Sequence, residues 1–322
     1  MGKASKGKGE TTRQAKIAAQ RAAARRAERR RRILIASGSI VVVVAVVLTF
    51  VLVKLNSKSG TAAAASNGPT GAALTSLVNQ VTSVPQSTLD AVGGGSIDPA
   101  DVGPGTSSNP SGSYLTPVTG SALTSSGKPE VLYVGAEFCP YCAAERWAMI
   151  VALSRFGTFS GLSTIHSSST DSYPNTPTFT FYGSTYTSQY LTFTSVEETK
   201  NYRVGNSTSQ TASYVTLQTP TAAQEQLVNQ YDPGTNGQGG PIPFIDIGNK
   251  YVEVGNLAGY GPSNLAGLSW SKIEADLSNP SSAVAKGIDG SANYLTAAIC
   301  KLTNNQPASA CTSAVKALEA KL

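Results

Sequence analysis

Apolar positions recur along this chain in three different rhythms. Residues 33–53, "ILIASGSIVVVVAVVLTFVLV", are apolar almost without interruption and carry neither charge nor proline. Twenty-one residues of helix span roughly 31 Å, against a hydrocarbon core of about 30 Å, so this segment predicts a membrane-crossing helix. Further on, Leu74, Leu77, Val78 and Val81 fall at helical spacing and predict a short amphipathic helix ending near Val84, before Pro85. The Gly/Pro/Ser-rich residues 93–113 read as loop. "VLYVGAEF", residues 131–138, is a β-branched apolar run with the character of a buried strand. Directly after the next four residues, Trp147, Ile150, Val151 and Ser154 share one helical face, and Gly157 predicts the stop. Between 158 and 215, "LSTIHSS", "TFTFYGS" and "YLTFTSV" alternate apolar and hydroxyl residues at period two, as strands do. Residues 219–231, "TPTAAQEQLVNQY", open with a threonine cap, an early proline and Glu225, the signature of a helix start. "PIPFIDIGNKYVEVG", residues 241–255, predicts a hairpin turning at Gly248–Asn249. Residues 262–322 read as helical, broken by Pro280, Gly290 and Pro307.

Charge changes the picture at the N-terminus. Residues 1–32 hold twelve Lys or Arg and two acids, Glu10 and Glu28, leaving 13 basic against 17 acidic residues in the remainder. The formal net charge of +6 therefore describes a basic tail on a mildly acidic body. The run "RRAERRRR" abuts the apolar segment, and by the positive-inside rule that end stays cytoplasmic. The tail has no aromatic residue to stack on bases, so it reads as a topology signal that also attracts anionic lipid, with no nucleic-acid partner. "TAAAAS", residues 61–66, imitates a signal-peptide cleavage site but lies past the apolar run, which favours an uncleaved anchor. Residues 54–71 read as a flexible linker, and residues 72–322 as an exported domain.

Four cysteines lie in that exported part: Cys139, Cys142, Cys300 and Cys311. An even count confined to an oxidising compartment fits disulfide chemistry. Cys139-Pro140-Tyr141-Cys142 sits where a buried strand gives way to a helix. A helix start presents unpaired N–H groups and the positive end of the macrodipole, which together stabilise a thiolate. Cys139, facing solvent at the helix tip, would form a mixed disulfide with substrate, and the more shielded Cys142 would resolve it. Pro140 would limit the freedom of the turn, and Tyr141 would touch substrate. A zinc site usually takes four ligands, whereas the chain offers one histidine, His166, and no second Cys-X-X-Cys. Copper held by two thiolates stays open as an alternative. A structural bridge across so small a loop would constrain little of the unfolded chain.

Strand, Cys-Pro-Tyr-Cys, helix and the later "PIPFIDIGNKYVEVG" together resemble the thioredoxin superfamily. The resemblance implies a mixed sheet flanked by helices. It also implies a cis bond between Ile242 and Pro243, which would pack against the cysteine pair and expose backbone for a substrate peptide. The chain is more similar still to membrane-anchored exported proteins grouped as domain of unknown function 929. "EVLYVGAEFCPYCAAERWAMIVALSRFGTF", "VPQSTLDAVG" and "AAICKLTNNQPASACTSA" carry that likeness. Two departures from thioredoxin itself stand out. Tyr133 occupies the position, six before the first cysteine, where thioredoxins bury a carboxylate that assists proton transfer. The stretch between the active-site helix and Pro243 is also far longer, which implies an insertion over about 157–240.

Cys300 and Cys311 flank "NNQP" between two helical stretches and predict a disulfide across a helical hairpin, or else a relay pair serving Cys139–Cys142. Glu137 reads as an exposed strand-end residue or a proton shuttle, and His166 as a structural histidine in a strand. The chain is thus expected to be a single-pass membrane protein whose extracytoplasmic α/β domain exchanges thiols and disulfides with exported, cysteine-containing proteins. Oxidation of substrate is favoured over reduction, no cofactor is called for, and a quinone-linked oxidase or an electron carrier in the membrane would be the redox partner. A non-enzymatic binding module, handling metal or holding a partner, is the other class of reading.

Overall fold

The apolar run after Gly127 becomes the strand around which the sheet is built. The computed structural model describes residues 68–99, 102, 114–234, 240–255 and 259–322, all of them within the unit Ala65–Leu322. The basic tail (1–32), the predicted membrane helix (33–53) and most of the linker (54–71) lie outside the described residues. Among the described residues no helix is long and apolar enough to cross a membrane.

In chain order, helices α1 (Gly71–Thr82) and α2 (Gln86–Val92) precede the two-residue strands β1 (Thr116–Pro117) and β2 (Thr124–Ser125), then β3 (Lys128–Gly135) and α3 (Pro140–Ser154). The stretch expected as an insertion holds β4 (Gly157–Ser160), β5 (Ser163–His166), β6 (Pro177–Thr180), β7 (Thr185–Ser188), β8 (Thr192–Glu197), β9 (Thr199–Arg203), β10 (Tyr214–Thr216) and α4 (Ala222–Tyr231). The hairpin β11 (Phe244–Ile247) and β12 (Tyr251–Val254) follows, and α5 (Trp270–Leu277), α6 (Ala283–Leu302) and α7 (Ser313–Glu319) come last.

The main sheet runs β1-β12-β11-β3-β2, with β8 also paired to β3. β11 lies antiparallel to β3, placing Ile245 opposite Tyr133. β8 lies parallel to β3, placing Glu197 beside Gly135. A parallel pair needs a long crossover, and α3 with the strands after it supplies one. The insertion is therefore structural as well as peripheral: it delivers a sheet strand, while β4–β7, β5–β6 and β9–β10 form separate two-stranded pairs.

Period-two alternation along β3 sends its side chains to two cores. Val131 and Tyr133 face α3 and α6, whereas Leu132 and Val134 pack with Val196, Phe244 and Val252 beneath Leu227, Val228 and Tyr231 of α4. A mixed α/β sheet with helices on both faces results. α3 is buried from Pro140 to Leu153 except at Tyr141, because α1, α6 and β6 all pack on it. The single apolar face read from its sequence was too narrow, and even Trp147 finds an interior partner, donating Nε1–H to Pro177 O at 2.9 Å.

Several boundaries moved, and Gly290, expected to break a helix, lies inside the continuous α6. β3 ends at Gly135 and α3 begins at Pro140, so residues 136–139 form the turn between them. α2 follows Pro85, where too short an apolar pattern gave no helix signal; Leu89 anchors it in the core. α4 closes its capping box with Gln224 rather than Glu225, Gln224 Oε1 accepting Thr221 N–H at 2.8 Å.

Cys300, near the end of α6, is bonded to Cys311, eleven residues on, and α7 starts just beyond under a Thr312 cap. Among the described residues, Glu145 on α3, Glu253 on β12 and Asp289 on α6 bury both carboxylate oxygens without a hydrogen-bond partner. Burial pushes all three acids up, Glu145 adding its charge to the rise at Glu253; Asp289 reaches about 8 against the pull of Arg155.

Closing a loop of this length stabilises by a little under about 3 kcal/mol on the chain-entropy estimate. Cys300→Ala/Cys311→Ala should therefore lower the melting temperature by roughly 6–12 °C, at about 2–4 °C per kcal/mol for a domain of this size; an unchanged melt would show that the bridge closes nothing. Asp289 behaves as an acid whose folded value is raised. Its contribution is full below the unfolded value of about 3.9 and is lost as pH rises toward about 8. Asp289→Asn should then melt within a degree of wild type at pH 4 and several degrees above it at pH 8. Equal shifts at both pH values would contradict a protonated Asp289.

Candidate active site

Cys139 is the N-cap of α3 and Pro140 its first residue. Proline suits that position because its fixed φ is helical and its missing N–H would have had no helical partner. Cys142 lies three residues in, and its backbone N–H donates to Cys139 Sγ at 3.3 Å. The sulfur thereby takes the place of a capping oxygen. Cys139 Sγ also lies 3.6 Å from Ile242 O, and the Ile242–Pro243 bond is cis. Four of the residues singled out in the sequence, Cys139, Cys142, Ile242 and Pro243, thus meet at one place. Pro140 is buried, and Tyr141 is half-buried with its ring edge-on to Tyr173, 6.3 Å between centroids.

The two thiols are electrostatically unlike. A hydrogen bond from the Cys142 thiol pulls Cys139 down, against burial, with help from Cys142 N–H and the charge of Arg146. Burial pushes Cys142 well up, and sharing its proton with Cys139 pushes it further. The two sulfurs are therefore shifted in opposite directions, the thiolate being favoured at Cys139, on the helix N-terminus, and disfavoured at Cys142.

Two expectations about exposure are corrected. Cys139 does not face open solvent: only 5% of its surface is accessible, because Ile242 and the 136–138 turn close over it. Glu137 is not exposed either; it is 8% accessible and accepts the Thr180 hydroxyl at 2.7 Å, and burial raises its pKa against that bond. His166 sets its ring edge-on to Trp270, 4.3 Å between centroids, and burial lowers its pKa, in keeping with a packing role. Cys300 and Cys311 are bonded to one another on α6 and the turn after it, with no contact to the cysteine pair among the described interactions.

The sequence reading missed the charge that underlies the site. Arg146 and Glu197, both inaccessible to solvent, form a bidentate pair, Nε to Oε1 at 2.8 Å and Nη2 to Oε2 at 2.7 Å. Burial opposes the charge on Arg146, and Glu197 outweighs it. Arg146 Nη2 also donates to Ala136 O at 2.7 Å, the same carbonyl that accepts Cys139 N–H at 3.2 Å. One guanidinium thus ties the active turn to the end of β8. The charged pair Glu145–Arg146 just before the apolar "WAMIVAL" run was the available signal, but the partner of Arg146 is 51 residues away. Phe138, stacked on Tyr214 at 4.0 Å beneath the Arg203 guanidinium, forms the rim on the insertion side. Among the described residues no group of three or more His, Cys, Asp or Glu is arranged to hold a metal ion.

No curated protein and no solved structure matches the chain. Residues 114–301, more than half of it, match the model of one family, and that span takes in β3, the cysteine pair, Arg146, Glu197 and Pro243. The chain accordingly belongs to the family described as Domain of unknown function (DUF929).

Proposed function

We propose that the chain is a thiol–disulfide oxidoreductase with a thioredoxin-like domain. In this reading Cys139 is the attacking sulfur and Cys142 the resolving one. The observation that carries it is the capping of α3 by Cys139 Sγ, with Cys142 N–H at 3.3 Å. That geometry stabilises the anionic sulfur by the means that activate such thiols in general: a helix N-terminus, a donor thiol and a nearby cation. A structural pair would have no use for two thiols whose pKa values are pushed in opposite directions.

The chemistry needs no cofactor. A substrate thiolate attacks Cys139 Sγ of the oxidised pair, Cys142 leaves, and a mixed disulfide forms. A second substrate thiol then displaces Cys139 and carries the disulfide away. Run backwards, the same steps reduce a substrate disulfide. Ile242 and Pro243 supply backbone beside Cys139 for an extended peptide, and Tyr141 lies at the margin where that peptide would pass. With residues 33–53 as anchor, the domain would work outside the cytoplasmic membrane on exported proteins. A membrane oxidase would recharge it, since an oxidising compartment favours substrate oxidation over reduction.

The reduction potential tests both the activity and its direction. The chain is equilibrated in graded glutathione buffers and its thiols are counted by alkylation, with Cys300→Ala/Cys311→Ala as control. A value near about −120 mV identifies a disulfide donor and one near about −270 mV a reductant; a pair that never cycles ends the redox reading. The electrostatics also predict a pH profile. Alkylation of Cys139 should be faster below pH 8 than that of an ordinary thiol, and Cys142→Ala, which removes the donor that lowers it most, should move the midpoint upward by about a unit. A Cys139 that titrates like a free thiol near 8.5 would contradict the assigned roles.

A further inference from the structure

Among the described residues, Tyr133 Oη is a buried polar atom with no hydrogen-bond partner, and it lies against the cysteine pair. Tyr133 and Gly135 alternate onto the same face of β3, under α3. A Cβ at Gly135 would fall 3.0 Å from Cys142 Sγ and closer still to Tyr133 Oη. The missing side chain of Gly135 therefore leaves a space that the phenol hydroxyl and the Cys142 sulfur both border. The ring itself is well held: it is fully buried, edge-on to Phe181 at 5.2 Å, with the Arg146 guanidinium 5.9 Å from its centre.

Cys142 has a problem that the capping of Cys139 does not solve. In the dithiol its proton is shared with the Cys139 sulfur. Once Cys139 is tied into a mixed disulfide, that anionic partner is gone, yet Cys142 must then carry negative charge in a buried place. We propose that Tyr133 is a catalytic residue that donates its Oη–H to Cys142 Sγ as the thiolate forms. This rests on the exchange chemistry above. In resolution, Cys142 Sγ attacks Cys139 Sγ, the Cys139–substrate bond breaks and the Cys139–Cys142 bond forms. The pair is oxidised, the substrate sulfur is reduced, and it takes the proton that Cys142 loses. In the reverse direction Cys142 leaves as a thiolate and the same donor receives it. Tyr133 keeps its own proton throughout, since burial raises its pKa well above the ordinary phenol value.

Tyr133→Phe tests this in the full-length chain, because it removes one oxygen and keeps the ring. Cys139 is loaded as its methyl disulfide with a methanethiosulfonate, and methanethiol release by Cys142 is followed against pH. Tyr133→Phe should slow release about tenfold at pH 7 and move its pH midpoint up by about one unit, while loading of Cys139 changes less than twofold. Site-specific 3-fluorotyrosine at 133, a stronger donor of nearly the same size, should release faster than wild type, which a purely packing role would not produce. A Tyr133→Phe protein with the wild-type profile overturns the proposal and leaves the redox reading intact. Equal slowing of loading and release, with a lowered melting temperature, also overturns it. A wild-type chain that never releases methanethiol overturns both readings together. If Tyr133→Phe fails to fold, the fluorotyrosine protein decides alone: release no faster than wild type overturns the proposal.

Discussion

A single buried cation holds the active turn together. Arg146 is inaccessible to solvent, so its charge has to be met inside the protein, and Glu197 meets it through two hydrogen bonds. An isolated ion of this size costs several kcal/mol to bury even after relaxation, which leaves little freedom for the groups around it. The remaining Nη2–H donation fixes Ala136 O, and Ala136 O fixes Cys139 N–H. The position of Cys139 is set, through two hydrogen bonds, by the ion pair behind it.

Seen this way, the site is a stack of graded polarity. Cys139 lies at the helix tip under a thin cover, Cys142 one turn deeper, and Tyr133, Gly135 and Arg146 below that. Charge is favoured at the top, where helix N–H groups point outward, and opposed in the middle, where burial raises Cys142. An exchange reaction needs this asymmetry, because one sulfur must be ionised before substrate arrives and the other only afterwards.

The local parts of this arrangement were legible in the sequence. Strand, Cys-Pro-Tyr-Cys and helix follow each other within some thirty residues, so hydrophobic period and proline position locate them. The "FIDIGNKYVEV" hairpin and the α4 helix were readable for the same reason. What escaped is what depends on distant residues. Glu137 reads as a strand end, but the insertion folds Thr180 over it. Cys139 reads as an exposed helix tip, but Ile242, 103 residues on, closes over it. α3 reads as one-faced, yet elements from both ends of the domain cover its other sides. The three orphaned carboxylates could not be foreseen either, because nothing local distinguishes Glu145 from an ordinary surface glutamate.

The insertion has a consequence for anyone wishing to shorten this chain. Glu197 closes β8, and β8 belongs to the stretch that a minimal redox domain would leave out. Trimming from Gly157 to the β11 hairpin would remove the counter-ion along with the apparent decoration. Arg146 would be left as an uncompensated charge, at about 3–5 kcal/mol, beneath the turn it is meant to hold. The extra length and the dithiol therefore form one indivisible unit, and grafting the cysteine turn into a smaller scaffold would require carrying a substitute anion with it.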